Sequence, residues 1–377
     1  MFFMNTYKDI QCPHFAVCSG CTINENVDKP PLLEEVYNFF SEQSVPFNYY
    51  SEQVVKWRHR AKLAVRGSAE NPLIGLYENG THQVVDIPLC RVHHPSINQA
   101  IEKLKTWIKA YKIRPYDEIT QEGLLRYVQC VVNRPSGRVQ LSLVLNAPGE
   151  RKELLAAKLL WDLNPEGWHS IWINWNQQRT NAIFGKEWVL VKGEEDLWET
   201  IAGAKVCFHP ANFAQANLAV FERLLNDLKS SLIANERIVE YYAGVGVIGF
   251  SLSKKAEKIE CCEINPWAQI SFEKARQCQG FSHISLVSGS SSSHTELLNH
   301  ASVVIVDPPR KGLDRSLLSA LLENEFPQEL HYISCGWNSF KQDWKELTKS
   351  WQLICAQAYL FFPGTNQLEV LAKFKKK

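Results

Sequence analysis

Residues 239–249 read VEYYAGVGVIG and decide the fold prediction, because a strand-like run ends within them and a helix-like run begins. Gly244, Gly246 and Gly249 form the pattern G-x-G-x-x-G, in which glycine lets the backbone turn tightly and approach a ligand that a Cβ would repel. Glu263 closes the next strand-like run, where a carboxylate can accept both hydroxyl groups of a ribose. The pattern predicts an adenosine-containing cofactor. It does not separate NAD from S-adenosylmethionine, and a glycine turn without a ligand is the simpler alternative.

The sequence from about residue 200 onward alternates short apolar runs with longer helix-like runs, which is typical of βαβ units around a parallel sheet. The predicted strands are 237–241, 258–262, 301–306, 329–334 and 353–360. The serine-rich run 288–293 is predicted to be a loop and the lysine-rich tail 373–377 a frayed end. We therefore predict an α/β, Rossmann-like domain over residues 200–377.

The first half of the chain has a different texture. A helix is predicted at about 31–43, and the short β-rich runs that follow are separated by turn signals, with helices near 96–112 and 150–162. Three cysteines crowd the beginning of the chain in a stretch without hydrophobic periodicity, which indicates a loop. The predicted parts are a cysteine-rich segment over 1–44 and a β-rich α+β domain over 45–199.

Composition limits the classes of protein. The 377 residues are 21% charged and 45% hydrophobic, which argues against disorder and against a membrane-spanning chain. The net charge is +1, so a polyanionic partner would have to bind a local patch. The first ten residues lack a basic segment followed by an apolar core, so we expect no secretion, no membrane insertion and a cytoplasmic location. Eleven cysteines without such a signal favour metal ligation, catalysis or packing over disulfides.

Three chemically distinctive side chains lie at or near the ends of apolar runs. Asp307 follows the run 303–306 and precedes two prolines, at the carboxyl edge of the predicted sheet, where ligands bind. Cys335 follows the run 329–334, and a thiol there is either a nucleophile of lowered pKa or an inert small hydrophobic residue. Glu369 lies in an otherwise apolar run and is exposed, paired, or a general base with a raised pKa.

Four short motifs together resemble those of the RNA (uracil-5-)-methyltransferase family. They are FAQAN at 213–217, DPPRKG at 307–312, SC at 334–335 and PGTNQLE at 363–369, and they occur in the family's order. The resemblance extends from Cys12 to about Phe374, which is nearly the whole chain. It implies a Rossmann-like, S-adenosylmethionine-dependent methyltransferase domain preceded by an RNA-binding domain.

The resemblance assigns a role to each matching position. Cys335 corresponds to the nucleophile that adds to carbon 6 of uracil, and Glu369 to the base that removes the proton from carbon 5. The positions that match the family's contacts to S-adenosylmethionine, together with the glycines of the loop, are Gln215, Tyr242, Gly244, Gly246, Glu263 and Asp307. There are two departures from the family pattern. Gln367 occupies the position of a histidine found in many relatives, and the loop 289–292 lacks the acidic residue that many methyltransferases use near the adenine.

The cysteines near the N-terminus have the spacing Cys12-x5-Cys18-x2-Cys21, and Cys90 lies in the predicted domain that follows. Four thiolates are enough for a [4Fe–4S] cluster or for a tetrahedral zinc ion, and spacing alone does not decide between them. Cluster-bearing members of the family share this three-plus-one arrangement, so the resemblance implies an iron–sulfur cluster ahead of zinc. The chemistry needs no electron, so the expected role of the cluster is structural or RNA-positioning.

Residues 56–66 alternate between cationic and other side chains, so that one face of a predicted strand would carry Lys56, Arg58, Arg60, Lys62 and Arg66. Five cations on one face predict a phosphate-binding stripe for RNA, whereas the simpler interpretation is a solvated strand face. Phe213 is predicted either to pack against a uracil that has left its stack or to lie in the core.

The compact form, with a cysteine cluster and no N-terminal β-barrel, most resembles the family members that modify a 23S rRNA uridine. The bacterial tRNA-modifying branch is the alternative. Two other classes are open at this point: an NAD-dependent oxidoreductase, which would share the glycine loop, and a non-catalytic iron–sulfur RNA-binding protein. The sequence makes no prediction about protein partners.

Overall fold

The computed structural model describes residues 9–149, 151–179 and 182–377. Within them the helices are α1 Pro31–Glu42, α2 Pro95–Ala110, α3 Arg151–Asp162, α4 Leu218–Ser231, α5 Val247–Ser251, α6 Pro266–Gln279, α7 Arg315–Glu323 and α8 Trp337–Leu347. The strands are β1 Phe47–Tyr50, β2 Arg60–Gly67, β3 Pro72–Tyr77, β4 Val84–Asp86, β5 Leu125–Val132, β6 Val139–Leu145, β7 Trp168–Trp175, β8 Glu187–Gly193, β9 Leu197–Ile201, β10 Ala204–Phe208, β11 Glu236–Tyr241, β12 Ala256–Glu263, β13 Ile284–Ser288, β14 Val303–Val306, β15 Glu329–Ser334, β16 Trp351–Tyr359 and β17 Glu369–Lys376. None of the helices in this described part of the chain is long and apolar enough to span a membrane.

Contacts divide the chain into two units. The N-terminal unit comprises the described residues up to Val27, Gln53–Leu197 and Ala214–Ala216, and the C-terminal unit comprises Asp28–Glu52, Trp198–Phe213 and Asn217–Lys377. This division differs from the predicted parts 1–44, 45–199 and 200–377, because residues 28–52 pack with the C-terminal unit instead of with the cysteine-rich segment.

The C-terminal unit is built on an eight-stranded sheet in the order β1-β16-β17-β15-β14-β11-β12-β13. The strands β15, β14, β11, β12 and β13 are parallel to their neighbours in this series, and β17 runs antiparallel to both β15 and β16. The strand β14 is buried along its whole length, as is typical of parallel sheets that carry helices on both faces. The predicted α/β architecture and all five predicted strands are confirmed.

The helix α1 and the strand β1 belong to the C-terminal unit, although they precede most of the N-terminal unit in the chain. The amphipathic helix α1 buries Leu33, Val36 and Phe40 in the core of the C-terminal unit. The strand β1 pairs in parallel with β16, with Phe47 opposite Ala356. The helix predicted at 31–43 is therefore confirmed, but the predicted boundary after residue 44 separates two elements that belong together.

The lysine-rich tail is part of the sheet, so the prediction of a frayed end is wrong. Leu330 lies opposite Phe374 between β15 and β17, and Phe374 is fully buried. Lys373 places its Nζ 2.8 Å from Glu329 Oε2. The physical reason is that the apolar residues of β17 alternate with the lysines, whose long side chains reach polar groups at the edges of the core.

The N-terminal unit contains a seven-stranded mixed sheet in the order β4-β3-β2-β5-β6-β7-β8. The pairing is antiparallel except between β6 and β7, which are parallel. Its core includes Trp107 of α2, Leu160 of α3 and Leu143 of β6. The unit is thus a β-rich sheet with helices where the sequence indicates them, and RNA binding by it stays a prediction.

The predicted phosphate-binding stripe is wrong as a continuous solvent-facing row. The strand β2 begins at Arg60, and Lys56 lies before it with a left-handed φ of +60°. Arg66 is buried and forms an ion pair with Glu118. Arg60 donates from Nη2 to Gln129 Oε1 at 2.9 Å. Within β2 alternation places Arg60, Lys62 and Arg66 on one face, but it does not reveal which protein groups cover that face.

Candidate active site

The parallel strands of the C-terminal unit end at one edge of the sheet, and four of them carry a chemically distinctive side chain there. Tyr242 follows β11, Glu263 ends β12, Asp307 follows β14 and Cys335 follows β15. The strand β11 lies between β12 and β14, so the order of strands reverses at this point. Open α/β sheets bind their ligands in the crevice at the carboxyl ends of the strands at such a reversal.

The strand β17 brings Glu369 to the same edge. It runs antiparallel to β15 with Ser334 opposite Val370, so its first residue, Glu369, lies one step beyond, at the level of Cys335. Directly opposed residues of antiparallel strands have Cβ atoms about 4.5–5.5 Å apart, close enough for their side chains to interact. The structure therefore brings the two predicted catalytic residues together at the end of β15.

The Cys335 thiol is half-buried, and its Sγ lies 3.9 Å from the carbonyl oxygen of Pro308. Burial raises the pKa of Cys335 to about 11; the carboxylates of Glu369 and Asp307 contribute to the rise, and Arg310 opposes it. At neutral pH the resting thiol is therefore protonated. A nucleophilic role requires that a further positive charge or a proton acceptor stabilise the thiolate.

Two carboxyl groups lie beside this thiol. Glu369 is 4% exposed, and burial raises its pKa well above the ordinary value, with Asp307 adding to the rise and Arg310 opposing it. Burial likewise raises the pKa of Asp307 to about 7. Because like charges at short distance disfavour each other, ionisation of one carboxyl group makes ionisation of the other more difficult.

Gln367 has a defined partner in this site. Arg310 is exposed, and its Nη2 donates to Gln367 Oε1 at 3.1 Å. A glutamine side chain has no titratable proton near neutral pH, so this position cannot relay protons as a histidine would. In this chain it holds the Arg310 guanidinium, which favours the ionised forms of Cys335 and Glu369.

The glycine loop joins β11 to α5. Gly244 N donates to Glu263 Oε2 at 2.8 Å, and Asn265 N donates to Glu263 Oε1 at 2.6 Å. Gly244 has a left-handed φ of +56°, and a Cβ added there would meet no atom within 4 Å. A Cβ at Gly246, by contrast, would lie 2.4 Å from the Phe272 ring. Gly246 is thus required for packing, whereas Gly244 leaves its backbone open to a ligand.

Glu240 also belongs to this region, although the sequence pattern did not predict it as a site residue. It is 1% exposed in β11, where its Oε2 accepts from Gly249 N at 2.8 Å and from Cys261 Sγ at 3.3 Å. Burial raises the pKa of Glu240 to about 8. An acid that follows the buried pair Ile238 and Val239, just before a glycine loop, is the signal that would have identified Glu240 as the group that fixes the start of α5.

The FAQAN motif divides between the two units. Phe213 is 71% exposed, which disagrees with a core position and leaves its aromatic face available. Asn217 caps α4, since its side chain accepts from Val220 N at 3.3 Å, and it donates to the Phe361 carbonyl oxygen at 3.2 Å. Gln215 belongs to the three residues that pack with the N-terminal unit, so its contact with a methyl donor stays a prediction.

The four predicted cluster ligands share one cavity in the N-terminal unit. Cys12, Cys18, Cys21 and Cys90 line a space of about 240 Å³, to which Arg58 also contributes. Burial raises the pKa of Cys21 to about 12, the other three thiols add to the rise, and Arg58 opposes it. Within the described residues, no group of three or more His, Cys, Asp or Glu side chains is arranged to hold a metal ion. The iron–sulfur and zinc predictions are thus not confirmed.

Comparison with known proteins gives a consistent set of relatives. The family model described as tRNA (Uracil-5-)-methyltransferase matches residues 295–377. A protein of Protochlamydia amoebophila named "Uncharacterized RNA methyltransferase" is 43% identical, with 100% of both chains covered. A protein of Bacillus cereus with the same name is 27% identical, covering 97% of this chain and 83% of the relative. The crystal structure of Pyrococcus abyssi tRNA (uracil-54, C5)-methyltransferase in complex with S-adenosyl-L-homocysteine superposes with a TM-score of 0.78 at 23% identity. This superposition covers 95% of this chain and 86% of that one and establishes the fold.

The pKa of Cys335 leads to a prediction about its reactivity. Because the thiolate is the reactive form, alkylation of Cys335 by iodoacetamide should be slow at pH 7 and accelerate about tenfold per pH unit up to pH 10. Arg310→Gln removes the cation that favours the thiolate and should slow alkylation at every pH. The rate is measured by mass spectrometry of the peptide that contains Cys335, with Cys335→Ala identifying the signal.

The matched control is Lys311→Gln, which removes an exposed cation from the neighbouring position of the same loop. Lys311 pairs with Asp314, and its replacement should leave the Cys335 rate within about twofold of the parent. A rate independent of pH, or one that rises in Arg310→Gln, would contradict the electrostatic description of the site.

Proposed function

The chain belongs to an RNA methyltransferase family of the tRNA (uracil-5-)-methyltransferase type, and from this premise we propose that it methylates carbon 5 of a uridine through a covalent adduct on Cys335. The observation that carries the proposal is the pairing of Ser334 with Val370, which makes Cys335 and Glu369 neighbours at the carboxyl edge of the sheet. The presence of Asp307 and Arg310 in the same group supports it further, since both act on the pKa of Cys335.

Three residues, Cys335, Glu369 and Asp307, have assigned roles in the proposed reaction. The Cys335 thiolate adds to carbon 6 of the uracil ring, and the electron pair displaced towards carbon 5 attacks the methyl group of the donor. The donor leaves as a neutral thioether. Glu369 then removes the proton from carbon 5, and the electrons of that C–H bond form the ring double bond and expel Cys335 from carbon 6. Asp307 is proposed to hydrogen-bond the uracil edge and the donor.

S-adenosylmethionine is the methyl donor, and the crevice beside the glycine loop fits it. The Gly244 backbone is open to close approach, because no atom occupies the position of a Cβ. Glu263 holds both carboxylate oxygens at this loop, where they are suited to the ribose hydroxyl groups. We propose Gln215, Tyr242 and Asp307 as further contacts, with Gly246 holding the loop in shape.

The four cysteines are proposed to hold a [4Fe–4S] cluster. Cys12, Cys18, Cys21 and Cys90 line one cavity of the N-terminal unit, and four thiolates are the usual ligands of such a cluster. The choice of a cluster over a single zinc ion rests on the three-plus-one arrangement of cysteines that this chain shares with cluster-bearing members of the family. Arg58 would offset part of the negative charge of the thiolates. The cluster would hold the N-terminal loop on the sheet.

The proposed substrate is 23S rRNA, with tRNA as the alternative. The choice rests on the resemblance of the cysteine-bearing architecture to the rRNA-modifying members of the family. Phe213, with 71% of its surface exposed, is proposed to pack against the uracil once it has left its stack. A cytoplasmic location is part of the same proposal. The oxidoreductase and non-catalytic alternatives do not agree with membership of a methyltransferase family.

The assigned roles predict a trapped intermediate. In Glu369→Gln, addition and methyl transfer can proceed while proton removal cannot, so the RNA should stay bonded to Cys335. Incubation of the variant with substrate RNA and S-adenosylmethionine should give a complex that survives denaturing electrophoresis. The double variant Glu369→Gln/Cys335→Ala should give none. A denaturant-resistant complex in that double variant, or its absence in Glu369→Gln, would remove the proposed mechanism.

The proposed cluster predicts a metal content. Protein purified without oxygen should contain about four iron atoms and four sulfides per chain. Replacement of Cys12, Cys18, Cys21 or Cys90 by Ala should lower the iron content, because each variant removes one ligand. Cys130→Ala, which changes a fully buried cysteine of the same unit outside this cavity, is the matched control and should keep the iron. Stoichiometric zinc in place of iron would refute the cluster assignment.

The substrate proposal predicts a specific loss in cells. Deletion of the gene should remove 5-methyluridine from one position of 23S rRNA while leaving tRNA unchanged, as mapped by mass spectrometry of RNase fragments. Complementation with the parent should restore the modification, and complementation with Cys335→Ala should not. Loss of the modification from tRNA with an intact rRNA map would replace 23S rRNA by the alternative substrate.

A further inference from the structure

Asp314 ends the loop after β14 and occupies the N-cap position of α7. Aspartate is among the favoured residues at this position, because its side chain can accept a hydrogen bond from the first turn of the helix. Here the backbone has the extended conformation expected of a cap, with φ −67° and ψ 139°, yet the side chain makes no capping hydrogen bond. The carboxylate therefore binds other partners, and the first turn of α7 lacks a hydrogen bond from its N-cap side chain.

The carboxylate connects three loops at the carboxyl edge of the sheet. Its Oδ2 accepts from Ser291 Oγ at 2.7 Å and from the Tyr242 hydroxyl at 3.2 Å. Its Oδ1 accepts from Lys311 Nζ at 2.9 Å. Tyr242 follows β11, Ser291 follows β13, and Asp314 itself ends the loop that begins at Asp307. Hydrogen bonding, first of all from Ser291, holds the pKa of Asp314 below its ordinary value.

Tyr242, which contacts this carboxylate, has a strained backbone conformation. Its φ is +63°, a left-handed value that costs energy for a residue with a Cβ. Its hydroxyl donates to Asp314 Oδ2 and also accepts from Asp314 N at 3.2 Å, so one residue fixes the ring from two sides. Burial raises the pKa of Tyr242 to about 12, which keeps the hydroxyl protonated and able to donate. Strained residues that are fixed in this way cluster at functional sites.

The same carboxylate compensates for a gap in the sequence pattern. The loop at 289–292 carries serines where many methyltransferases have an acid near the adenine. Ser291 is 4% exposed and donates its hydroxyl hydrogen to Asp314. The Asp314 carboxylate, which belongs to the loop after β14, thus places a negative charge next to the serine loop.

We propose that Asp314 is a positioning residue for the methyl donor, which fixes Tyr242 and Ser291 so that the donor crevice is formed before the donor binds. The inference rests on the proposed function, because Tyr242 is a donor contact within that proposal. Asp314 itself acts through Tyr242 and Ser291. Its loss should therefore weaken donor binding far more than it slows the chemical steps on Cys335.

The test is calorimetric titration of the full-length protein with S-adenosylhomocysteine, together with kcat and KM for S-adenosylmethionine. Asp314→Ala removes two charge-assisted hydrogen bonds within the crevice and should raise the Kd at least about tenfold. Asp314→Asn keeps the shape and one acceptor oxygen and should give an intermediate Kd. At saturating donor, kcat should stay within about threefold of the parent in both variants.

A double-mutant cycle isolates the route through Tyr242. Tyr242→Phe removes the hydroxyl that Asp314 holds, so in this background Asp314→Ala should raise the Kd by a smaller factor than in the parent. Lys311→Ala is the matched control, because it removes the exposed partner of the same carboxylate and leaves the contacts to Tyr242 and Ser291 in place. Its Kd should stay within about twofold of the parent.

The outcomes separate the two proposals. A parent protein that does not bind S-adenosylhomocysteine would overturn the proposed function. If the parent binds S-adenosylhomocysteine and both Asp314→Ala and Asp314→Asn bind it as tightly as the parent, the positioning role is overturned and the proposed function stays intact. Equal factors for Asp314→Ala in the parent and in Tyr242→Phe would also overturn it, since the effect would not pass through the tyrosine. If Asp314→Ala does not fold, Asp314→Asn in the same cycle decides between these results.

Discussion

The crowding of a thiol and two carboxyl groups beside the Arg310 guanidinium is the constraint on which the site depends. Burial raises the pKa of Cys335, Asp307 and Glu369, the charge of Asp307 adds to the rise at Glu369, and both carboxylates add to the rise at Cys335. One guanidinium cannot balance three negative charges, so in the resting state the group retains protons. A cationic sulfonium donor bound in the crevice would supply a further positive charge. Donor binding and formation of the thiolate are therefore linked. The bound cation lowers the pKa of the thiol, and ionisation of the thiol raises the affinity for the cation by the same free energy.

The direction of β17 makes this group of residues possible. A strand added in parallel would begin at the opposite edge of the sheet and would carry its first residue away from Cys335. The chain instead returns from β16 antiparallel and inserts β17 between β16 and β15, so that Glu369 begins the strand at the carboxyl edge. The same reversal draws the lysine-rich tail into the sheet. The strand direction that brings Glu369 next to Cys335 therefore also places the lysine-rich tail inside the sheet.

Local periodicity was enough to predict five strands of the C-terminal sheet, three helices and the edge at which the site lies, although it missed others such as β13. The runs around Asp307 and Cys335 had to end at the same edge, because consecutive βαβ units produce parallel strands. The same reasoning could not give the direction of β17, since an apolar run has no preferred orientation before its neighbours are known. It also failed for Arg66, because whether a cation faces solvent or meets Glu118 is decided by residues distant in the chain. The role of Asp314 was hidden for the same reason: its partners lie 23 and 72 positions away.

Cys335 and the four cysteines near the N-terminus are two places where a buried thiol would have to lose its proton to act. Cys335 and Cys21 both have a raised pKa, and in both cases burial is the largest cause. Beside Cys335 the other acids are carboxyl groups, which can take up or release a proton during a reaction, so the site retains protons that can move. Around Cys21 the neighbouring acids are three further thiols, and a thiol that stays protonated cannot ligate a metal. The thiols of Cys18, Cys21 and Cys90, whose pKa is raised by burial, would resist the loss of protons that the proposed metal binding requires. Arg58, which lines the same cavity, lowers that resistance in the way that Arg310 does at the other site.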